Sequence, residues 1–105
     1  LMLSNGLEAK VGTLGSKYEF FHEWKRLKES DPGRVELETM LRGICEKKTF
    51  LDLLENFILY DHSGGRTTKI LARNHQYLGV NEAVSAYENR KLKDGRLGVF
   101  WHTQG

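Results

Sequence analysis

The chain has 105 residues, with 16 Lys and Arg, 14 Asp and Glu, one Cys and one Pro, a formal net charge of +2 and 39% hydrophobic residues. That length holds one small domain or parts of two. The lone cysteine, Cys45, excludes an internally stapled secreted scaffold and points to a reducing compartment; no apolar run or signal peptide suggests a membrane or export route.

In chain order, Leu1-Met2-Leu3-Ser4 is followed by the turn dipeptide Asn5-Gly6 and then by Val11 and Thr13, which favour strands. The pattern predicts a hairpin with strands near 1–4 and 8–13. A strand starting at the first residue suggests a piece cut from a longer protein. Ser16 and Glu19 fit a capping box. Phe20, Trp24 and Leu27 then recur at i, i+4 and i+7, with Phe21 beside them, predicting an amphipathic helix over 17–28. Ser30-Asp31-Pro32-Gly33 ends it.

Leu37, Met40, Leu41 and Ile44 define a second helix over 34–46, with Glu36 and Glu38 favoured by its dipole. Cys45 falls on its apolar face and reads as core. Thr49 and Asp52 give another capping signal, and Phe50, Leu53, Leu54, Phe57 and Ile58 extend a helical repeat, so a third helix is expected over 50–57. Its end, Phe57-Ile58-Leu59-Tyr60, reads equally as strand. Residues 61–66 form a turn and 67–72 an extended segment. A fourth helix is predicted over 74–91, with Tyr77, Val80, Val84 and Tyr87 as its buried stripe. Leu97-Gly98-Val99-Phe100-Trp101 has the near-continuous apolar character of a strand buried on both faces. Such a strand needs partners from 1–13 or 58–71, because its backbone groups otherwise go unsatisfied. The expected fold is therefore α+β and mostly helical.

Charge is distributed unevenly. Residues 1–65 carry nine basic and eleven acidic side chains, whereas residues 66–105 carry seven basic and three acidic ones. The basic end suits phosphate, and the cluster at 90–96 is either a DNA contact or a solvated helix end. Two motifs carry more chemistry. A buried strand running into Thr103-Gln104-Gly105 has the form of a phosphate-binding loop, in which glycine lets backbone N–H groups approach an anion. It reads equally as a tail after a strand. Gln76, in the first turn of the fourth helix, can donate to adenine N7 and accept from N6, or can belong to an exposed polar turn. Together, a glutamine-bearing helix and a following strand with a glycine turn is how some helicase motors grip a nucleotide. His22, His62, His75 and His102 lack zinc spacing, and no nucleophilic arrangement is visible. Trp24, Phe20, Phe21 and Phe57 read as core rather than as a base-stacking platform.

Four blocks carry a family resemblance. Residues 4–14, Ser-Asn-Gly-Leu-Glu-Ala-Lys-Val-Gly-Thr-Leu, resemble the segment closing the nuclease domain of the restriction (motor) subunit of type I restriction–modification enzymes. Residues 50–60 resemble that family's helical connector. Residues 69–77, Lys-Ile-Leu-Ala-Arg-Asn-His-Gln-Tyr, are similar to its adenine-sensing Q motif, and residues 98–105 to its first helicase strand entering Walker A. The resemblance implies residues 1–14 as the end of the nuclease domain, 15–60 as connector and 61–105 as the start of a superfamily 2 motor. It implies a bacterial or archaeal cytoplasmic parent that uses ATP and magnesium to translocate double-stranded DNA and cleave it. That parent works with methyltransferase and specificity subunits and no membrane. Gln76 carries over as the adenine contact, and Thr103, Gln104 and Gly105 as the opening of the phosphate loop; no catalytic or metal-binding residue is assigned. Asn74 departs from the family's usual aromatic, and the Ser-Gly-Lys-Ser that completes the loop does not occur. The fragment alone is thus expected to bind no cofactor and to be inactive, since the transferred phosphoryl group lacks charge stabilisation. The alternatives are a free-standing helical protein-interaction or DNA-binding module, and a different P-loop ATPase.

Overall fold

The computed structural model describes residues 1–101. Among the described residues the architecture is α+β, with two separate two-stranded antiparallel sheets and three α-helices.

The first sheet pairs β1 (Met2–Ser4) with β2 (Ala9–Val11), placing Met2 opposite Val11 and Ser4 opposite Ala9. The turn between them forms because short polar side chains satisfy its backbone. Asn5 Oδ1 accepts from the N–H groups of Leu7 (3.0 Å) and Glu8 (2.8 Å), and Gly6 takes a positive φ of 94°. Ala9 and Val11 face the core while Lys10 alternates outward.

Residues 17–28 do not form the predicted helix. Only a 3₁₀ turn, Tyr18–Phe20, is present, and the chain then runs extended. The free edge of β2 captures it: Val11 donates to the His22 carbonyl (2.8 Å) and His22 donates back (2.9 Å). Ser16 does not cap a helix either, because its hydroxyl bonds that of Thr13 at 2.6 Å. Phe21 and Trp24 are buried as expected, but Phe20 is exposed. Long-range pairing therefore overrides a helical repeat.

Helix α1 (Leu37–Ile44) buries Met40, Gly43 and Ile44. It stops at Ile44, so Cys45 becomes the C-terminal cap and is exposed rather than core. Helix α2 (Lys47–Asn56) starts two residues earlier than Thr49, since Glu46 accepts from the Thr49 N–H at 2.8 Å and is the actual cap. Phe57 closes α2, and β3 (Ile58–Asp61) follows at once, which decides the helix-or-strand ambiguity there. β3 pairs with β4 (Thr68–Leu71), Ile58 opposite Leu71 and Asp61 opposite Thr68. Asp61 builds the connecting turn by accepting from both the N–H and the hydroxyl of Ser63.

Helix α3 spans Asn74–Glu88 and gives way to a 3₁₀ turn at Arg90–Lys93. Its inner face is Asn74, Leu78 and Gly79 with half-buried Tyr77. The rest of the expected stripe is not buried: Val80, Val84 and Tyr87 are 49%, 50% and 56% exposed. The core is Ala9, Val11, Trp24, Met40, Ile44, Leu53 and Phe57, packed by Met2, Leu37, Leu71, Ala72 and Tyr77. Trp24 and Tyr77 rings meet at 5.4 Å, and Phe57 and Tyr77 at 4.8 Å, which ties α3 to both the extended segment and the end of α2.

Residues 97–101 form no strand, and Leu97, Val99, Phe100 and Trp101 are exposed. A run of apolar residues becomes a buried strand only where a sheet offers a partner. Here Phe100 instead lays its ring against the backbone of α3 at Gly79, in space a Cβ would fill.

Candidate functional site

The amino end of α3 is where the described residues gather polar chemistry. The segment 69–77 delivers its side chains there because β4 ends at Leu71 and α3 begins three residues later.

Asn74 is the organiser. It is only 7% exposed, yet every polar atom of its side chain has a backbone partner. Oδ1 accepts from Lys25 N–H (3.1 Å) and Arg26 N–H (2.9 Å), and Nδ2 donates to the Arg26 carbonyl (2.9 Å). This clamp fixes the extended segment 22–26 against the start of α3 over 48 residues of sequence. An aromatic ring cannot make these bonds, so asparagine has a structural reason to stand here. Sequence reading noted the departure at Asn74 and missed its role; only the neighbouring backbone, distant in sequence, reveals it.

Gln76 is exposed, and its Oε1 accepts from the Arg73 N–H at 2.9 Å. The side chain thus reaches back over the first turn and satisfies one of the amide donors that a helix start leaves open. This bond anchors the amide and leaves its Nε2 donors and one Oε1 lone pair uncommitted by it.

His22 lies beside this turn, with Nε2 3.2 Å from the Ala72 carbonyl. Burial holds its pKa below the ordinary 6.5, reinforced by the Arg73 and His75 charges and opposed by Glu23. It is therefore neutral near pH 7, with Nε2 the donor. An open cleft of about 640 Å³ adjoins His22, Arg73, Asn74, His75, Leu78 and Trp101. The last described residue thus returns to the first turns of α3.

The other expected site residues, Thr103, Gln104 and Gly105, lie outside the described residues. Of the basic cluster, Arg90 is committed to its own helix end: it stacks 4.0 Å over the Tyr87 ring and donates to the Tyr87 carbonyl. Lys91, Lys93 and Arg96 are exposed. Among the described residues, no three His, Cys, Asp or Glu side chains come together as a metal site, and no helix is long and apolar enough to cross a membrane.

The fold and this helix start define an α+β segment organised around a clamped glutamine turn. Along its whole length the chain is homologous to part of the endonuclease subunits of type I restriction enzymes. It is 36% identical over 113 aligned residues to the type I restriction enzyme HindI endonuclease subunit of Haemophilus influenzae, matching all of this chain and 11% of that protein. Two proteins of Methanocaldococcus jannaschii named as type I restriction enzyme endonuclease subunits also match. MjaIXP is 28% identical over the whole chain, covering 12% of its own length. MjaVIIIP is 31% identical over 80% of the chain, covering 8% of its own length. The chain thus spans about a tenth of the curated relatives it matches. No family model and no solved structure matches it.

Proposed function

We propose that the chain is the segment of a type I restriction endonuclease subunit that joins its nuclease part to an ATP-driven motor, in the cytoplasm of a bacterium or archaeon. Residues 1–14 close the nuclease domain, 15–60 connect, and 61–105 open the motor. In the whole subunit this segment takes part in ATP- and magnesium-dependent translocation and cleavage of double-stranded DNA, alongside methyltransferase and specificity subunits. The observation that carries the reading is the match of the whole chain, from first residue to last, to part of the HindI endonuclease subunit.

Within that reading, Gln76 recognises adenine. The bond from Arg73 N–H to Oε1 supports this role, because it holds the amide on a rigid helix start with donors to spare. Trp101 borders a cleft with Arg73, Asn74 and His75, at the helix start that carries Gln76, although Gln76 does not itself line that cleft. ATP would be held by Gln76 at its base and by the glycine turn at its phosphates. The segment's own contribution is to fix the helix start that carries Gln76 through the Asn74 clamp.

The test uses the full-length subunit assembled with its partner subunits. Gln76→Glu retains an oxygen for the Arg73 N–H but loses the amide donor. It is expected to weaken ATP binding about tenfold and to erase the preference for ATP over GTP, with thermal stability kept. An unchanged ATP affinity and nucleotide preference would refute the adenine assignment. The 105-residue chain alone is expected to show no ATP turnover.

A further inference from the structure

β4 pairs with β3 along one edge, and among the described residues no strand pairs with the other. Ala72 N–H bonds the Phe57 carbonyl, so the antiparallel alternation points the peptide groups of Thr68 and Ile70 toward β3 and those of Lys69 and Leu71 away from it. On that outer edge the Lys69 carbonyl is already taken by the Thr13 hydroxyl at 2.7 Å. The edge therefore presents mainly donors, the N–H groups of Lys69 and Leu71, spaced at the two-residue repeat of a strand.

A groove of about 400 Å³ runs along this edge. Phe20, Ile70 and Leu71 give it apolar walls, and Gly12 and Gly15 also line it. Lys17, Lys69 and Arg73 supply positive charge, and no Asp or Glu lines it among the described residues. The neighbouring cleft at the start of α3, by contrast, contains Glu23 and Glu29 beside its cations. Two of the groove's cations have only weak internal partners: Lys17 sits 3.9 Å from exposed Glu19, and Lys69 lies 5.6 Å over the Tyr60 ring.

We propose that the outer edge of β4 and this basic groove form a docking site for an extended peptide segment with alternating acidic and apolar side chains. The segment adds to the β3–β4 hairpin as a third strand. Its carbonyls accept from Lys69 and Leu71 N–H, its carboxylates meet Lys69 and Arg73, and its apolar side chains cover Ile70 on the opposite face of β4. Lys69 and Ile70 are on opposite faces of β4, so an added strand with alternating side chains meets charge on one face and apolar surface on the other. A nucleic-acid backbone would use the cations but leave the apolar walls and the spaced donors unmatched. This inference stands apart from the adenine reading and does not need it.

The probe is the acetylated, amidated hexapeptide Glu-Val-Glu-Val-Glu-Val, titrated into the ¹⁵N-labelled 105-residue chain to millimolar concentration. Lys69 and Leu71 amides are expected to shift, and their hydrogen exchange to slow at least tenfold at saturation. The same peptide N-methylated at alternate residues should lose this protection, and Lys69→Gln with Arg73→Gln should weaken binding about fivefold. The proposal fails if neither amide responds, or if the N-methylated peptide protects them equally. It also fails if a short DNA duplex perturbs the groove where the peptide does not.

Discussion

Asn74→Ala is expected to be among the most damaging single changes to this chain, although position 74 opens a helix, where alanine is ordinarily acceptable. The substitution deletes three hydrogen bonds at once, from Lys25 N–H, from Arg26 N–H and to the Arg26 carbonyl. At about 1 kcal/mol net for each bond, and more where a backbone group is left dry, the loss comes to about 2–4 kcal/mol. For a domain of this size that lowers the melting temperature by roughly 10 °C or more. Asn74→Asp separates the bonds. It keeps the two acceptor contacts but turns an oxygen toward the Arg26 carbonyl, so it should fall between the parent and the alanine variant. It should also recover on acidification, when the protonated carboxyl can donate again. Urea unfolding followed by tryptophan fluorescence reads both, since Trp24 lies in the adjoining core. If Asn74→Ala unfolds within about 0.5 kcal/mol of the parent, the clamp does not hold the segment 22–26 as described.

Three further outcomes are expected. Gly43→Ala should destabilise the chain, because the new Cβ meets the indole of Trp24, itself 2% exposed, and overpacking of about 1–3 kcal/mol outweighs the ~1 kcal/mol gain in helix propensity; a raised urea midpoint would refute this. His22 has a lowered folded pKa, so its contribution to stability is complete above pH 6.5 and declines as pH falls from there toward the folded value. His22→Gln should flatten the stability profile in that window. Glu46 is held below its ordinary 4.5 by the Thr49 and Lys48 N–H groups, so the α2 cap is intact above pH 4.5 and is lost as pH falls through the lower folded value. The Thr49 amide shift should titrate with a midpoint under 4.5, and Glu46→Gln should abolish that titration.

What the sequence determined alone was whatever depends on near neighbours. Asn5-Gly6 marked a turn because its side chain and glycine's backbone freedom act within a few residues. The apolar spacing of α1, α2 and α3 located helices within a few residues of their observed limits, as that spacing is a local property. Tertiary structure decided everything that depended on a distant partner. Residues 17–28 carry a helical repeat, yet the open edge of β2 offered His22 two hydrogen bonds, and the segment went extended. Val80, Val84 and Tyr87 have the spacing of a buried stripe, but periodicity states only that one face is apolar, not that anything covers it. Residues 97–101 have the composition of an inner strand and no sheet beside them. Asn74 looked like a defect in a motif until the backbone of Lys25 and Arg26 came beside it. A side chain's chemistry is written in one residue, but the desolvation and hydrogen bonding that give it a role are set by groups the chain brings together only on folding.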